Sequence, residues 1–200
     1  MKDSFGWERS PERTEKMRSV LSHRQPGLVV VLENVHDPHN VGAILRTCDA
    51  VGVSKVMMVY TIEEPPSLGS TSASGVVKWL DFKRYRSIRQ CFDDLHTEGF
   101  QILATKIEPK AASLYSYDLS RPTAIVLGNE HRGISDEAAK GADHLLYIPM
   151  MGMVESVNVS VATAICLFES MRQRSAKGMY DVSQYSEEAL NGSLHEWMKK

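Results

Sequence analysis

The chain has 200 residues, with 23 Lys+Arg against 25 Asp+Glu, a formal charge of −2, and 42% hydrophobic and 24% charged residues. These proportions exclude a disordered, collagen-like or polybasic chain, and they leave nucleic-acid binding to local clusters of charge. One domain of this length buries about 70% of the surface of its unfolded form and folds without covalent staples.

In chain order, residues 10–24 are predicted to form a helix, with Ser10 as N-cap and Pro11 at the first helical position. This helix carries Arg13, Lys16, Arg18 and Arg24, diluted by Glu12 and Glu15, and suits a solvated helix and a phosphate-facing arm equally. The β-branched run LVVVL at 28–32 reads as a strand buried on both faces. A polar loop, ENVHDPHN, leads to a helix in VGAILRTCDAVG, with Asn40 as its predicted N-cap. SKVMMVY at 54–60 is a second buried strand, and the Pro-, Gly- and Ser-rich stretch 61–75 is a loop. VVKWLDFKRY is read as holding a short strand, and SIRQCFDDLHTEG as a helix ending at Gly99. FQILAT, TAIVLG and HLLYIP are the remaining strands, and a long helix is expected from near Ser156 to about Arg174. The tail 178–200 has weak periodicity and closes on a short helix-like EWMKK. Alternating strands and helices predict one α/β domain, a mostly parallel sheet with helices on both faces. Ligands of such sheets gather at the carboxyl ends of the strands, here the loops after Val31, Thr105, Leu127 and Ile148.

Cys48, Cys91 and Cys166 are widely spaced, without a C-x-x-C pair, so they predict buried free thiols in a reducing compartment. The opening MKDSFGWERSPERTEK lacks the apolar core of a secretory signal, and no stretch approaches a membrane span. A cytoplasmic protein without membrane contact is expected. The chain also lacks G-x-G-x-x-G, the Walker phosphate loop, H-E-x-x-H and G-x-S-x-G, which disfavours dinucleotide, P-loop, zinc-protease and α/β-hydrolase chemistry. His36, Asp37 and His39 share one loop but not a recognised ligand spacing, so no metal is expected.

Three segments carry chemistry. In Asn40–Ala50, Val41, Ile44, Leu45 and Cys48 share a core face while Arg46 points the other way. Arg46 leans over Gly42 toward the helix start, where an anion would meet a guanidinium fork and free backbone N–H groups; a surface pair with Asp49 is the alternative. In Ile125–Ser135 a strand runs into Gly128, which permits close approach to the backbone, and Asn129 and Glu130 follow at the strand end. Ser135 is positioned to cap a further helix. In Ile148–Ile165, Met150, Met151 and Met153 predict a soft apolar wall, and Ser156, Asn158 and Ser160 open a helix. Each segment alone is also compatible with an ordinary turn or cap.

Together and in this order, N-V-G-A-I-L-R-T, G-N-E-x-x-G-I-S and I-P-M-x-G-x-x-x-S-x-N-V-S-x-A resemble the three motifs of the SpoU (TrmH-like) group of SPOUT RNA methyltransferases. The resemblance runs from about residue 12 to 180. Further stretches are most similar to tRNA members that 2′-O-methylate guanosine 18: R-Q-P at 24–26, V-H-D-P-H-N at 35–40, C-D-A-V-G-V at 48–53 and M-R-Q-R at 171–174. The resemblance implies a C-terminal trefoil knot, a homodimer with the active site at the interface, S-adenosylmethionine as methyl donor, and tRNA as substrate. It implies a catalytic centre of Asn40, Arg46, Glu130, Ser156 and Asn158, and donor contacts around Thr105, Gly128, Ile148, Met150 and Val157. Arg13, Lys16, Arg24, His39, Arg172 and Arg174 are the expected RNA contacts, with the N-terminal helix and the segment from 156 onward as RNA-binding and dimer arms. A second basic cluster is Lys78, Lys83, Arg84, Arg86 and Arg89, which fits a solvated face as well as RNA. Val157 stands where the family usually has Leu, and Glu155 where close relatives commonly have Gln.

The family proposal makes the first-motif arginine a base. A guanidinium keeps its proton, with pKa above ~12, so gripping phosphate and stabilising a developing alkoxide suit Arg46 better. The same chemistry on ribosomal RNA or another tRNA position is the nearest alternative. A non-catalytic RNA-binding protein and an unrelated nucleotide-binding enzyme are more distant ones.

Overall fold

The computed structural model describes residues 10–66 and 75–200. The first nine residues and residues 67–74 of the predicted loop lie outside the described residues. The elements are α1 (Pro11–Ser22), β1 (Leu28–Glu33), α2 (Pro38–Ala50), β2 (Lys55–Val59), β3 (Asp81–Tyr85), α3 (Ile88–Thr97), β4 (Gln101–Thr105), β5 (Ala112–Ser113), β6 (Thr123–Leu127), α4 (Asp136–Gly141), β7 (His144–Tyr147), α5 (Val159–Ala176) and α6 (Glu187–Met198). A 3₁₀ turn, Val76–Trp79, precedes β3.

All strand pairs are parallel, in the order β3-β2-β1-β6-β4-β7-β5. The central register sets Val30 beside Val56 and Ile125, and every residue of β1 and β6 is buried, including the polar Glu33 and Thr123. Their two faces feed two cores. Leu28, Val30 and Leu32 pack with Val41, Ile44, Leu45 and Cys48 of α2 and with Cys166 and Leu167 of α5. Val29 and Val31 pack with Ile88, Cys91, Phe92 and Leu95 of α3 and Ala138 of α4. Helices therefore cover both faces, as the alternating pattern predicted. A third, smaller cluster joins Met17 and Leu21 of α1 to Leu190, Leu194 and Trp197 of α6. All three cysteines are free and buried.

Several boundaries differ from expectation for identifiable reasons. α2 begins at Pro38 because Asp37, not Asn40, is its N-cap, accepting the His39 N–H at 2.7 Å. α5 begins at Val159 because Asn158 caps it, accepting the Ser160 N–H at 2.8 Å. The tail helix α6 is a full element, capped by Ser186, because its Leu190, Leu194 and Trp197 find α1 to bury against. The two-residue β5 escaped notice because its pairing with β7, not its own composition, makes it a strand.

Two expected RNA contacts are corrected. Arg24 and Arg174 are buried, at 0% and 1% exposure. Arg24 donates to the Val53 carbonyl at 2.7 Å and pairs with Asp49 at 2.5 Å. Arg174 donates to the carbonyls of Leu119, Gly27 and Arg121 and to Gln25 Oε1. Charged donors withdrawn from water are retained where acceptors replace it: carbonyls and Gln25 do so for Arg174, and the Val53 carbonyl and Asp49 do so for the Nη atoms of Arg24, whose Nε is buried without a partner among the described residues. Both arginines lock the segment before β1 to the rest of the fold, so neither faces phosphate. Replacing Arg174 with Met removes four side-chain hydrogen bonds and leaves the buried Leu119 carbonyl without the guanidinium. Urea unfolding is expected to show a loss of about 3 kcal/mol.

Candidate functional site

The strand ends create a cleft. In register, Glu33 lies beside Val59, Leu32 beside Leu127, Ala104 beside Val126 and Thr105 beside Leu146, so the carboxyl ends of β1, β6, β4 and β7 finish together. A cavity of about 740 Å³ opens there, within the range of small-molecule sites. Its lining includes Asn40, Thr105, Gly128, Glu130, Ile148, Met150, Ser156, Val157 and Asn158. Those nine positions come from all three sequence segments and from the β4 end.

The polar groups are wired together. Glu130 Oε1 accepts from the Asp37 N–H at 3.1 Å and from Asn40 Nδ2 at 3.0 Å, and Oε2 accepts from the His36 N–H at 3.2 Å. Asn40 Oδ1 in turn accepts from Asn158 Nδ2 at 3.0 Å, and Asn158 Oδ1 accepts from the Ser160 hydroxyl at 2.6 Å. With Asp37 as the cap, the Asn40 amide is free to bridge the first and third segments. Partial burial pushes the Glu130 carboxyl up, but the Asn40 amide and the backbone N–H groups around it outweigh that and hold it below the usual glutamate value. Glu130 is therefore an ionised acceptor that organises the loop rather than an acid holding a proton.

The second segment is tightly built. Asn129 exchanges two backbone hydrogen bonds with Gly133, at 3.0 and 2.8 Å, closing a small hairpin. A Cβ on Gly128 would collide with the Gly133 carbonyl and the Ile134 nitrogen. The close approach read from Gly128 is thus made by the chain's own backbone. Asn129, read with the second segment, and two residues outside the expected set, Glu33 and Asn34, hold this region. Asn129 Nδ2 donates to the Asn34 carbonyl at 2.9 Å, and Glu33 accepts from the Ser135 N–H and hydroxyl at 2.8 and 2.6 Å. Asn34 sits at φ 53° and caps the Thr61 and Ile62 N–H groups. The signal for Glu33 was a charge at the end of an otherwise apolar strand; Asn34 gave none beyond its tolerance of left-handed backbone.

Other expected residues are placed differently. Arg46 is exposed on α2 and is not among the residues lining the cleft; Asp49, its alternative partner, is taken by Arg24. Met151 and Met153 project into solvent at 95% and 100% exposure, so only Met150 of the predicted wall lines the cavity. Arg13 and Lys16 line a separate hollow of about 410 Å³ with Trp79 and Trp197. His39 is exposed, and Arg172 is exposed and paired with Glu169 at 2.8 Å. In the second basic cluster, Lys83 pairs with Asp94 at 2.7 Å, while Arg84 and Arg86 are exposed. In the loop of His36, Asp37 and His39 the first two backbone N–H groups go to Glu130 and the third to the Asp37 side chain that caps α2, while His36 and His39 are exposed. No group of three or more potential metal ligands occurs among the described residues.

Residues 27–168 match the SpoU rRNA methylase family. The chain belongs to this family. It is 42% identical over 193 residues to a tRNA (guanosine(18)-2′-O)-methyltransferase of Thermus thermophilus, covering 96% of this chain and 99% of that one. Its fold is similar to the A. aeolicus TrmH/SpoU tRNA modifying enzyme, with TM-score 0.88 and 38% identity, over 93% of this chain and 94% of that one. It is also similar to an AdoMet-bound rRNA methyltransferase from Sinorhizobium meliloti, with TM-score 0.65 and 30% identity, over 84% of this chain and 62% of that one.

The lowered Glu130 value has a thermodynamic consequence. A carboxylate with a depressed folded-state pKa stabilises the fold above its unfolded pKa, and that contribution is lost as pH falls through the folded value. Glu130→Gln is expected to be less stable than the wild type at neutral pH and to lose less stability on acidification to about pH 3, as read by urea unfolding at both pH values.

Proposed function

We propose that this protein transfers the methyl group of S-adenosylmethionine to the ribose 2′-oxygen of guanosine 18 in the D-loop of tRNA. The observation that carries this reading is the Glu130–Asn40–Asn158 network, which ties the three family segments together at one cleft. The near-complete span of the match to a tRNA guanosine-18 enzyme favours tRNA over ribosomal RNA.

The residues present fit the donor. Leu127, Ile148, Met150 and Val157 offer apolar surface to an adenosyl group, and backbone groups at the ends of β4, β6 and β7 lie beside them. Thr105 spends its hydroxyl on the Val126 carbonyl at 3.1 Å, which leaves it a wall residue. The donor supplies a methyl group on a positively charged sulfur, so the leaving group is already activated and no metal is called for. What the chain must supply is a held and polarised 2′-hydroxyl, whose proton passes to water as its oxygen takes the methyl. Ser156 and the Asn40–Asn158 pair stand at the cleft to position it, and Glu130 keeps that pair in place. Arg46 serves as phosphate grip and alkoxide stabiliser.

Because Arg46 is outside the cleft of its own chain, a second copy delivers it. The exposed Met151, Met153 and Val154 of the loop and the exposed Val161 and Phe168 of α5 support a homodimer face beside the cleft. The finer fold belongs to this reading: β6 inserted between β1 and β4, with α5 returning against α2, supports a C-terminal trefoil knot. Arg13 and Lys16 beside Trp79, together with the exposed Arg172 and His39, are the RNA-facing groups. No helix among the described residues is long and apolar enough to cross a membrane, and we place the enzyme with its tRNA substrate in the cytoplasm.

Labelled S-adenosylmethionine with unmodified tRNA should yield 2′-O-methylguanosine in the D-loop, mapped by mass spectrometry; a tRNA left unlabelled while donor binds would overturn the substrate. Arg46→Ala and Arg46→Lys should each reduce turnover by about 10²–10³ while donor affinity is retained, because a lysine lacks the planar fork. Phe168→Glu should shift the protein toward monomer in analytical ultracentrifugation and lower turnover with it.

A further inference from the structure

Glu63, in the loop after β2, is a wall of the same cleft and has no role in the network above. Its carboxylate is 16% exposed. One oxygen, Oε1, is paired with Arg132 Nη2 across the mouth, from the loop after β2 to the hairpin after β6. The other, Oε2, is buried and has no hydrogen-bond partner among the described residues. A buried acceptor without a donor is costly, more so when charged, and calls for an explanation. Arg132 is 53% exposed and sits two residues beyond Glu130, and it lines the same cleft as Glu63, Asn40 and Asn158.

The pair presents, side by side, guanidinium donors and a carboxylate with a vacant acceptor. That pattern complements the Watson–Crick edge of guanine, whose O6 accepts while N1–H and the exocyclic amino group donate. Adenine reverses the first two roles and would set its unprotonated N1 against the carboxylate. RNA enzymes read splayed-out bases on this edge, and sites built to bond a polar group reject analogues that lack it. We infer that the Glu63–Arg132 pair selects guanine at the modified nucleotide, with Glu63 receiving N1–H and the amino group and Arg132 donating to O6. This rests on the methyltransferase reading above and deepens it by assigning the base-specificity residues.

The test is single-turnover methylation of tRNA transcripts carrying guanosine, inosine or adenosine at the target position, with donor affinity measured in parallel by equilibrium dialysis. Inosine keeps O6 and N1–H but lacks the amino group. The wild type should methylate guanosine about 10- to 100-fold faster than inosine and barely methylate adenosine. Glu63→Gln, close to isosteric, turns an –NH₂ donor toward guanine's own donors. It should slow methylation of guanosine by a similar factor and bring the guanosine-to-inosine ratio to within about threefold, with donor affinity unchanged. A wild type that treats the three transcripts alike overturns the inference without recourse to any variant. So does a Glu63→Gln protein that keeps the wild-type ratio, and one that loses donor affinity at an unchanged ratio would assign the carboxylate to the donor instead. A wild type that methylates none of the transcripts overturns the functional reading and this inference with it.

Discussion

One carboxylate holds the cleft in shape. Glu130 accepts from two consecutive backbone N–H groups before α2 and from the Asn40 amide, and Asn40 accepts from Asn158. Three stretches separated by roughly ninety and thirty residues are thereby held at hydrogen-bond distance. The arrangement works because the carboxylate stays charged and is only partly withdrawn from water. A neutral acid would have an O–H where these donors already point.

Around that centre the fold supplies rigidity from two directions. The hairpin after β6 is closed by paired backbone bonds and pressed against Gly128, and Asn129 and Glu33 fasten it to the end of β1. At the amino-terminal end of the sheet, Arg24 and Arg174 bond the carbonyls of the connecting segments, those of Val53, Leu119, Gly27 and Arg121. Polar side chains thus finish the packing where the regular elements stop, and a basic residue at such a place is architecture rather than an RNA contact. The exposed basic groups beside them, Arg13 and Lys16, remain available to phosphate.

The cleft and the surface divide the work. The cleft in one chain collects Asn40, Glu130, Ser156 and Asn158 but not Arg46. Apolar side chains on the loop before α5 and on α5 itself are left uncovered. Both facts have one explanation if a second copy closes the site, since an interface that buries the apolar groups also brings in the missing cation. Glu63 carries a buried carboxylate oxygen that no donor among the described residues meets.

Much was legible in the amino-acid order. The apolar runs at β1, β2, β4 and β6 need two covered faces, so the parallel sheet with helices on both sides followed from hydropathy alone. The three motif segments named most of the cleft, because the backbone they require, a strand end followed at once by a cap or a tight turn, is local. What the sequence could not decide was partnership across distance. Whether Asn40 or Asp37 caps α2 depends on where Glu130 arrives from β6, and whether Arg174 meets phosphate or carbonyls depends on the loop before β1 packing beneath it. A side chain's chemistry is written in its own letter, but its hydrogen-bond partners come from elsewhere in the chain, and only the tertiary fold brings them within three ångströms.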